Sequence, residues 1–505
     1  MSINIGLFLA KRGMLDGGRL ALIAGGRPLS FAELNAKACR SANAMQAAGV
    51  RAGDRVAALM RNGLDYVALY YGAAKIGAIL CAINWRLAAQ EIGYILDDSE
   101  PKLLVHDAEF APVVAAIGRR DLLAYETNAG GGTRGSWPDR LDAVSAQEPA
   151  AAAGAGDPLV LVYTSGTTGR PKGAVLTHDQ MFWASATMAA SHDYKQGDVN
   201  LVPTPLFHVG GLSFATLFVH MGATLVLPRA WEPDLILDLI AKERINHFFA
   251  VPAMLRSLVE HPRFADADLS SLRWVLCGGA PVPPDLIALA GRRGIPVQQT
   301  YGATETAGPA TLVDLAHVAE KAGSAGLPYF HTELRIASAQ GIELPAGEIG
   351  EVQVRAPHVF AGYWRDAEAT RAAFAGEWLK TGDLGRRDAE GYLYLVDRVK
   401  DVVITGGENV YPAELEAVLR EHRAVTDVAV VGVPDREWGE VPCAVVVPKP
   451  NEAVTLEMLR AFCEGRIARY KQPRRLVLHA EPLPRNASGK VLKRELRAAL
   501  AKDAP

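Results

Sequence analysis

The sequence predicts an α/β protein: a large N-terminal domain of α/β sheets plus a β-rich subdomain, followed by a small α+β C-terminal domain. Three observations predict it. Short apolar runs alternate with helical periods through the first 400 residues, the pattern of largely parallel sheets covered by helices. From Gly350 the texture changes to polar–apolar alternation, as in Gly350-Glu-Val-Gln-Val-Arg355 and Gly391-Tyr-Leu-Tyr-Leu-Val396, which reads as antiparallel strands with one wet face. Beyond Asp397 the strand and helix signals follow each other closely enough for a separate small domain.

Taken in order, the strand-like runs are Arg55–Leu59, Leu103–Val105, Leu159–Tyr163, Thr224–Leu227, Trp274–Cys277 and Val297–Tyr301. Each is short, rich in Val, Leu and aromatic residues, and bounded by turn formers. The stretch Tyr66 to Ile83 is the most membrane-like in the chain. Lys75 and its small residues make it a buried helix running into a strand, so no transmembrane segment is expected. Asn128 to Ala155, rich in Gly, Ala and Ser, reads as a surface loop. It contains Gly130-Gly-Gly132-Thr-Arg-Gly135, a formal dinucleotide pattern, but no strand precedes it and Pro138 soon follows, so a nucleotide site there is rejected. The charged junction Asp397-Arg-Val-Lys-Asp401 divides the chain into residues 1–396 and 397–505. In the second part Asp401–Thr405, Val425–Val433 and Ala444–Val447 read as strands, and Tyr411–Glu421 and Leu456–Tyr470 as helices. A basic segment, Lys490 to Arg497, ends it.

Composition narrows the function. The 505 residues are 49% apolar and 22% charged, as in ordinary globular proteins, and the net charge of −3 gives no basic surface for nucleic acid. Five scattered cysteines form no Cys-x2-Cys pair, which argues against a zinc site or disulfide framework and suits a reducing cytoplasm. The first residues lack a basic stretch and a cleavage site and make a poor signal peptide.

The chemistry is announced by Tyr163-Thr-Ser-Gly-Thr-Thr-Gly-Arg-Pro-Lys-Gly-Ala174. It holds three glycines, four Ser/Thr hydroxyls and two cations, and lies between two apolar runs. Glycines let backbone N–H groups approach phosphate oxygens, hydroxyls donate, and Arg170 and Lys172 neutralise charge. It is not a Walker A loop, because Lys172 is followed by Gly173 and a second strand-like run in place of a helix. Further along, Pro205-Leu-Phe-His-Val-Gly-Gly-Leu212 sets His208 among apolar residues, where by itself it reads as a core histidine. Gln299-Thr-Tyr-Gly-Ala-Thr-Glu-Thr306 puts Glu305 just past a strand, and its hard oxygens suit Mg2+. Lys380-Thr-Gly-Asp383 offers an acid in a tight turn, suited to ribose hydroxyls. Pro484-Arg-Asn-Ala-Ser-Gly-Lys490 puts a lysine on a glycine-bearing loop.

In this order, over essentially the whole chain, these segments resemble the adenylate-forming superfamily of acyl-CoA synthetases, adenylation domains and beetle luciferases. Asn84-Trp-Arg-Leu87, Gly362-Tyr-Trp364 and Gly406-Gly-Glu-Asn-Val-Tyr-Pro412 resemble its fatty-acyl- and aryl-CoA ligases. The resemblance implies an enzyme that uses ATP, Mg2+ and CoA in two half-reactions, with a mobile C-terminal domain that carries a catalytic lysine. It implies that Thr164, Ser165, Gly166, Thr167, Thr168, Gly169 and Lys172 hold the β- and γ-phosphates. Glu305 would hold Mg2+, and Thr304 would touch the α-phosphate. Gly279, Ala280 and Pro281, with Tyr301 and Gly302, would flank adenine, and Asp383 and Arg398 would bind ribose. Lys490 would bridge carboxylate and α-phosphate, and with His208, Glu305 and Thr164 makes up the expected catalytic set. Lys400 matches the hinge. Gly406, Gly407, Trp438, Tyr470 and Arg474 match CoA-binding positions, although Gln472 departs from a basic position there.

The acyl pocket is expected at His208, Val209, Val251, Met254 and Gly278. Its small and apolar residues favour a medium- or long-chain fatty acid, with a cinnamate- or benzoate-type acid next. A malonyl-type substrate or an acyl carrier protein as acceptor are the alternatives. Arg256, the nearest cation in sequence, reads as a helix-surface residue. The resemblance also allows a homodimer and a lysine acetyltransferase acting on Lys490 as partners.

Overall fold

The computed structural model describes residues 3–127, 136–164, 171–405, 408–435, 438–485 and 489–502. They make two compact units. One takes residues up to Leu334 with Val354–Leu379; the other takes Arg335–Gln353 with Lys380 onward. Asp397 falls inside the second unit.

The first unit holds two sheets. One runs in the order Gly362–Tyr363, Lys172–Thr177, Pro158–Thr164, Ile79–Ala82, Arg55–Leu59, Leu103–Asp107, Leu123–Thr127. Its last five strands pair parallel and its first three antiparallel. The other has nine strands; the six from Val297–Tyr301 through Trp274–Gly278, His247–Ala250, Val199–Leu201 and Thr224–Leu227 to Leu20–Ala24 are parallel. Leu103–Asp107 and Trp274–Gly278 are buried at every residue, so Leu103–Val105 and Trp274–Gly278 are apolar runs without alternation, the first followed by the buried polar pair His106 and Asp107. Every strand expected in this region is present.

The Tyr66–Ile83 stretch is a helix, Leu64–Ile76, that ends on Gly77 in the left-handed region and leads into Ile79–Ala82. Its lysine is nearly inaccessible (1%), and its ammonium is paired with Glu148 at 2.5 Å. Among the described residues no helix is long and apolar enough to cross a membrane.

Two expectations are corrected. The region read as a loop from Asn128 to Ala155 contains a helix, Trp137–Asp142. The Ser136 hydroxyl accepts from the Asp139 N–H and Pro138 sits in the first turn, where its missing N–H costs nothing; Trp137 is fully buried. Residues 128–135, with the dinucleotide-like pattern, lie outside the described residues. The helix expected over Leu456–Tyr470 stops at Cys463 because Gly465 adopts φ +72°, and only a 3-10 turn, Arg469–Lys471, follows.

The second unit ends in a sheet ordered Glu408–Val410, Val403–Thr405, Gly439–Pro448, Val425–Asp435, with Arg475–Leu478 parallel to Gly439–Pro448. Its centre is covered on both faces. Val428 and Val430 join Leu415, Leu419, Leu459 and Cys463 in one core cluster, while Ala429, Val431 and Val433 join Leu483 and Leu496 in another. The two-residue period of a strand sends alternate side chains to the two clusters. The hairpin of Trp378–Arg387 with Leu393–Arg398 sets Asp383 opposite Arg398.

Candidate active site

The phosphate-type loop hangs from an antiparallel strand pair. Pro158–Thr164 leads in and Lys172–Thr177 leads out, with Thr164 directly opposite Lys172. The loop is therefore closed at its base by two residues expected to bind phosphate. Ser165, Gly166, Thr167, Thr168 and Gly169 lie outside the described residues. The return strand is pinned at its far end by the capping box of Thr177 and Gln180, which opens the helix His178–Ser191.

A short segment that the sequence reading used only as a family phrase holds this base in place. Gly362–Tyr363 pairs antiparallel with Lys172–Thr177. The Trp364 N–H donates to the Gly173 carbonyl at 2.7 Å, and a Cβ on Gly173 would lie 3.1 Å from the Tyr163 ring. Asp366 Oδ2 lies 3.3 Å from the Lys172 ammonium, and the Tyr363 ring lies 5.5 Å from it. The Tyr363 hydroxyl donates to Glu305 Oε1 at 2.8 Å.

Glu305 itself sits in the 3-10 turn Thr304–Thr306, just beyond Tyr301 at the end of its strand. Gly302 makes that turn possible: a Cβ there would lie 1.6 Å from the Gly308 carbonyl oxygen. Among the described residues the second carboxylate oxygen, Oε2, accepts no protein hydrogen bond. One anchored carboxylate with one free oxygen fits a Mg2+ ion that takes its other ligands from phosphates and water.

Gly278, at the end of Trp274–Gly278, packs against the next strand so closely that a Cβ would meet the Thr300 carbonyl oxygen at 2.3 Å. Gly279 follows with φ +79° and forms a bend with Ala280, after which Pro281 leads on. A Cβ on Gly279 would be 3.5 Å from Val251, which joins the expected adenine-flanking and acyl-pocket residues. Val251 caps the helix Pro252–Val259, whose Met254 packs on the neighbouring core cluster. Arg256, on the same helix, is engaged by Glu260 and Asp285, each at 2.9 Å.

His208 stands at the N-terminus of the helix Val209–Met221, its ring 4.5 Å from that of Phe207. Its Nε2 is buried without a protein partner among the described residues. Burial, and then the charge of Arg86, lower the imidazole to about 4, so it is neutral near pH 7.

In the second unit a cationic and acidic cluster forms. Arg398 Nε lies 3.1 Å from Asp383 Oδ1. Gly382, at φ +70°, lets the Thr381 hydroxyl accept from the Asp383 N–H at 3.1 Å. Lys490 follows Gly489, at φ +80°, whose carbonyl accepts from Arg485 at 2.7 Å. Desolvation first, then the charges of Arg398 and Lys400, lower the Lys490 ammonium to about 8 against the pull of Asp383 and Asp401. The residue as a whole is exposed by solvent-accessible area. Lys400 lies in the turn Val399–Asp401, and desolvation and Arg398 lower its ammonium too.

Of the CoA positions, Trp438 and Arg474 come together, with the guanidinium 4.2 Å from the indole centroid. Tyr470 is exposed and lies near Lys471, at 5.9 Å. Gly406 and Gly407 lie outside the described residues.

Comparison with known proteins shows the family to which the chain belongs. The model of the AMP-binding enzyme family matches residues 10–364, and that of the AMP-binding enzyme C-terminal domain matches residues 414–490. The chain is 41% identical over 98% of both chains to a feruloyl-CoA synthase from Amycolatopsis sp. It is 42% identical to the long-chain-fatty-acid–CoA ligase FadD13 of Mycobacterium tuberculosis, over 93% of this chain and 92% of that one. A solved structure of o-succinylbenzoate coenzyme A synthetase from Bacillus subtilis, in complex with ATP and magnesium ion, matches with a TM-score of 0.87. It is 34% identical and covers 97% of this chain and 98% of its own. With family models over most of the chain and full-length relatives named as CoA ligases or synthetases, the chain belongs to the AMP-binding enzymes and is an AMP-forming acid–CoA ligase that uses ATP, Mg2+ and CoA.

Proposed function

We propose that the acid is uncharged along its length, and that a medium- or long-chain fatty acid is the preferred substrate. The observation that carries this is the character of the residues expected to line the pocket: a neutral His208, the apolar Val209, Val251 and Met254, and an Arg256 engaged by two acids. A malonate-type acid would need a cation in the pocket. A second reading, an aryl acid, is favoured by Phe249, whose ring a Cβ on Gly210 would approach to 3.2 Å and which stacks on Phe214.

The chemistry divides among these residues as follows. The acid's carboxylate oxygen forms a bond to the α-phosphorus of ATP as the bond to pyrophosphate breaks. Thr164 and Lys172, with the loop residues between them, hold the departing β- and γ-phosphates. Glu305 holds Mg2+, which when bound neutralises charge on the phosphate oxygens. Thr304 donates to the α-phosphate, and Tyr301, Gly302, Gly279, Ala280 and Pro281 line the adenine. Asp383 and Arg398 orient the ribose, and Lys490 brings positive charge to the carboxylate and α-phosphate oxygens as charge builds there. In the second half-reaction the CoA sulfur bonds to the acyl carbon, the bond to AMP breaks, and the thiol proton is lost. Trp438 and Arg474 hold the nucleotide end of CoA, and Lys400 serves as the pivot between the two half-reactions.

Acetylation of Lys490 would remove the charge that adenylation needs; intact-mass analysis of native protein reads it directly. The five buried free cysteines suit a reducing cytoplasm. The deciding experiment is a carboxylate panel scored for AMP release with and without CoA. Medium- and long-chain fatty acids should give the highest CoA-dependent turnover. Turnover of malonate or succinate above every uncharged acid would overturn the substrate reading.

A further inference from the structure

The mechanism leaves the half-buried hydroxyl of Tyr363 unused. Tyr363 lies on the two-residue strand Gly362–Tyr363, which pairs with the strand that opens at Lys172. Its hydroxyl donates to Glu305 Oε1 at 2.8 Å, and its ring lies 5.5 Å from the Lys172 ammonium. The backbone around it is fixed at several points. The Phe360 N–H donates to the Glu305 carbonyl at 2.8 Å, and the Ala361 N–H donates to the Val175 carbonyl at 3.0 Å. His358 bonds the Thr306 carbonyl at 2.9 Å, and the Thr370 hydroxyl accepts from the Tyr363 N–H at 2.9 Å. One segment thus grips both the turn that carries Glu305 and the strand that carries Lys172.

We propose that Tyr363 is a positioning residue for the metal: its hydroxyl occupies Glu305 Oε1 and so presents Oε2 to Mg2+ at a fixed angle to the phosphates that Lys172 neutralises. A carboxylate free to rotate would offer either oxygen, or both, and would pay for its ordering when the metal arrives. Asp366, three residues on, completes the arrangement. Its Oδ1 accepts from the Ala369 N–H at 2.8 Å, and its Oδ2 lies against Lys172 at 3.3 Å. The proposal rests on Glu305 as the Mg2+ ligand.

Calorimetric titration of the full chain with ATP, in Mg2+ and again in EDTA, tests it. Tyr363→Phe should weaken Mg·ATP binding roughly 10-fold, as expected when a ligand's outer partner is lost, and leave metal-free ATP binding unchanged. Glu305→Gln should weaken Mg·ATP binding at least as much, and in its background Tyr363→Phe should have no further effect. If Glu305→Gln leaves Mg·ATP affinity intact, the assignment of Glu305 fails and the proposal falls with it. If Glu305→Gln weakens it but Tyr363→Phe does not, or weakens ATP binding equally in EDTA, the metal reading stands and the positioning role is overturned. Should Tyr363→Phe fold poorly by thermal melting, Tyr363→Trp, which keeps an aromatic donor, is used in its place. It must retain more Mg·ATP affinity than Tyr363→Leu for the proposal to survive.

Discussion

Lys490 and Gly302 show what single residues decide. With its ammonium lowered to about 8, Lys490 begins to lose its charge within the ordinary assay range. In the role proposed for Lys490 adenylation needs the charged form, so kcat/KM for acid-dependent pyrophosphate release should fall as pH rises through about 8, the free-enzyme value. A flat profile to pH 10 would contradict desolvation, aided by the charges of Arg398 and Lys400, as its cause. Lys490→Ala should abolish adenylation while sparing thioester formation from supplied acyl-AMP. Lys490→Arg, which cannot deprotonate, should lose the fall near pH 8 in whatever activity it keeps. Gly302 is required by space: a Cβ 1.6 Å from a backbone oxygen cannot be accommodated without moving the Glu305 turn. Gly302→Ala should destabilise by about 2 kcal/mol or more, read as a lowered melting temperature together with weakened Mg·ATP binding.

At the scale of elements, the site is carried by strand ends. Thr164, Lys172, Gly278 and Tyr301 each begin or end a strand of the first unit, where side chains project beyond the sheet. The segment Gly362–Tyr363 was legible only as a family phrase, because two residues carry no periodicity; its pairing to Lys172–Thr177 gives it a function. In the second unit Trp438 adjoins the strand Gly439–Pro448, and Arg474 precedes its parallel partner Arg475–Leu478, which brings the two side chains face to face. Trp438→Ala should raise KM for CoA roughly 10-fold, the effect of losing one base–aromatic stack. Acid-dependent ATP–pyrophosphate exchange should not change. Loss of exchange as well would mean that Trp438 serves the fold of this unit and not CoA.

For the molecule as a whole, buried histidines set the response to acid. His178, His208, His220 and His358 are lowered to about 4 and His192 to about 3, each with desolvation as its main cause. All lie in the first unit. Unfolded, each titrates near the ordinary 6.5, so below that pH the unfolded state takes up protons first. The stability these groups contribute is whole above 6.5 and is lost as pH falls toward about 4, at up to about 1.4 kcal/mol per pH unit for each group that is protonated only when unfolded. The melting temperature should therefore drop steeply between pH 6.5 and 4.5. A midpoint unchanged over that range would refute the neutral, desolvated state of these side chains.

The sequence by itself determined the class of fold, because buried parallel strands must be written as continuous apolar runs. It also carried the expectation of a phosphate-binding loop at Tyr163–Ala174, because close approach of backbone to phosphate requires glycine. It could not reveal the helix Trp137–Asp142, which lies in a stretch whose Gly, Ala and Ser content reads as a loop, nor the early end of Leu456–Cys463 at Gly465. Only the tertiary structure decided which groups meet. Tyr363 reaches Glu305 across 58 positions of chain, and Lys490 gathers with Asp383, Arg398 and Lys400. Such pairings are fixed by strand register and backbone geometry, which local composition does not encode.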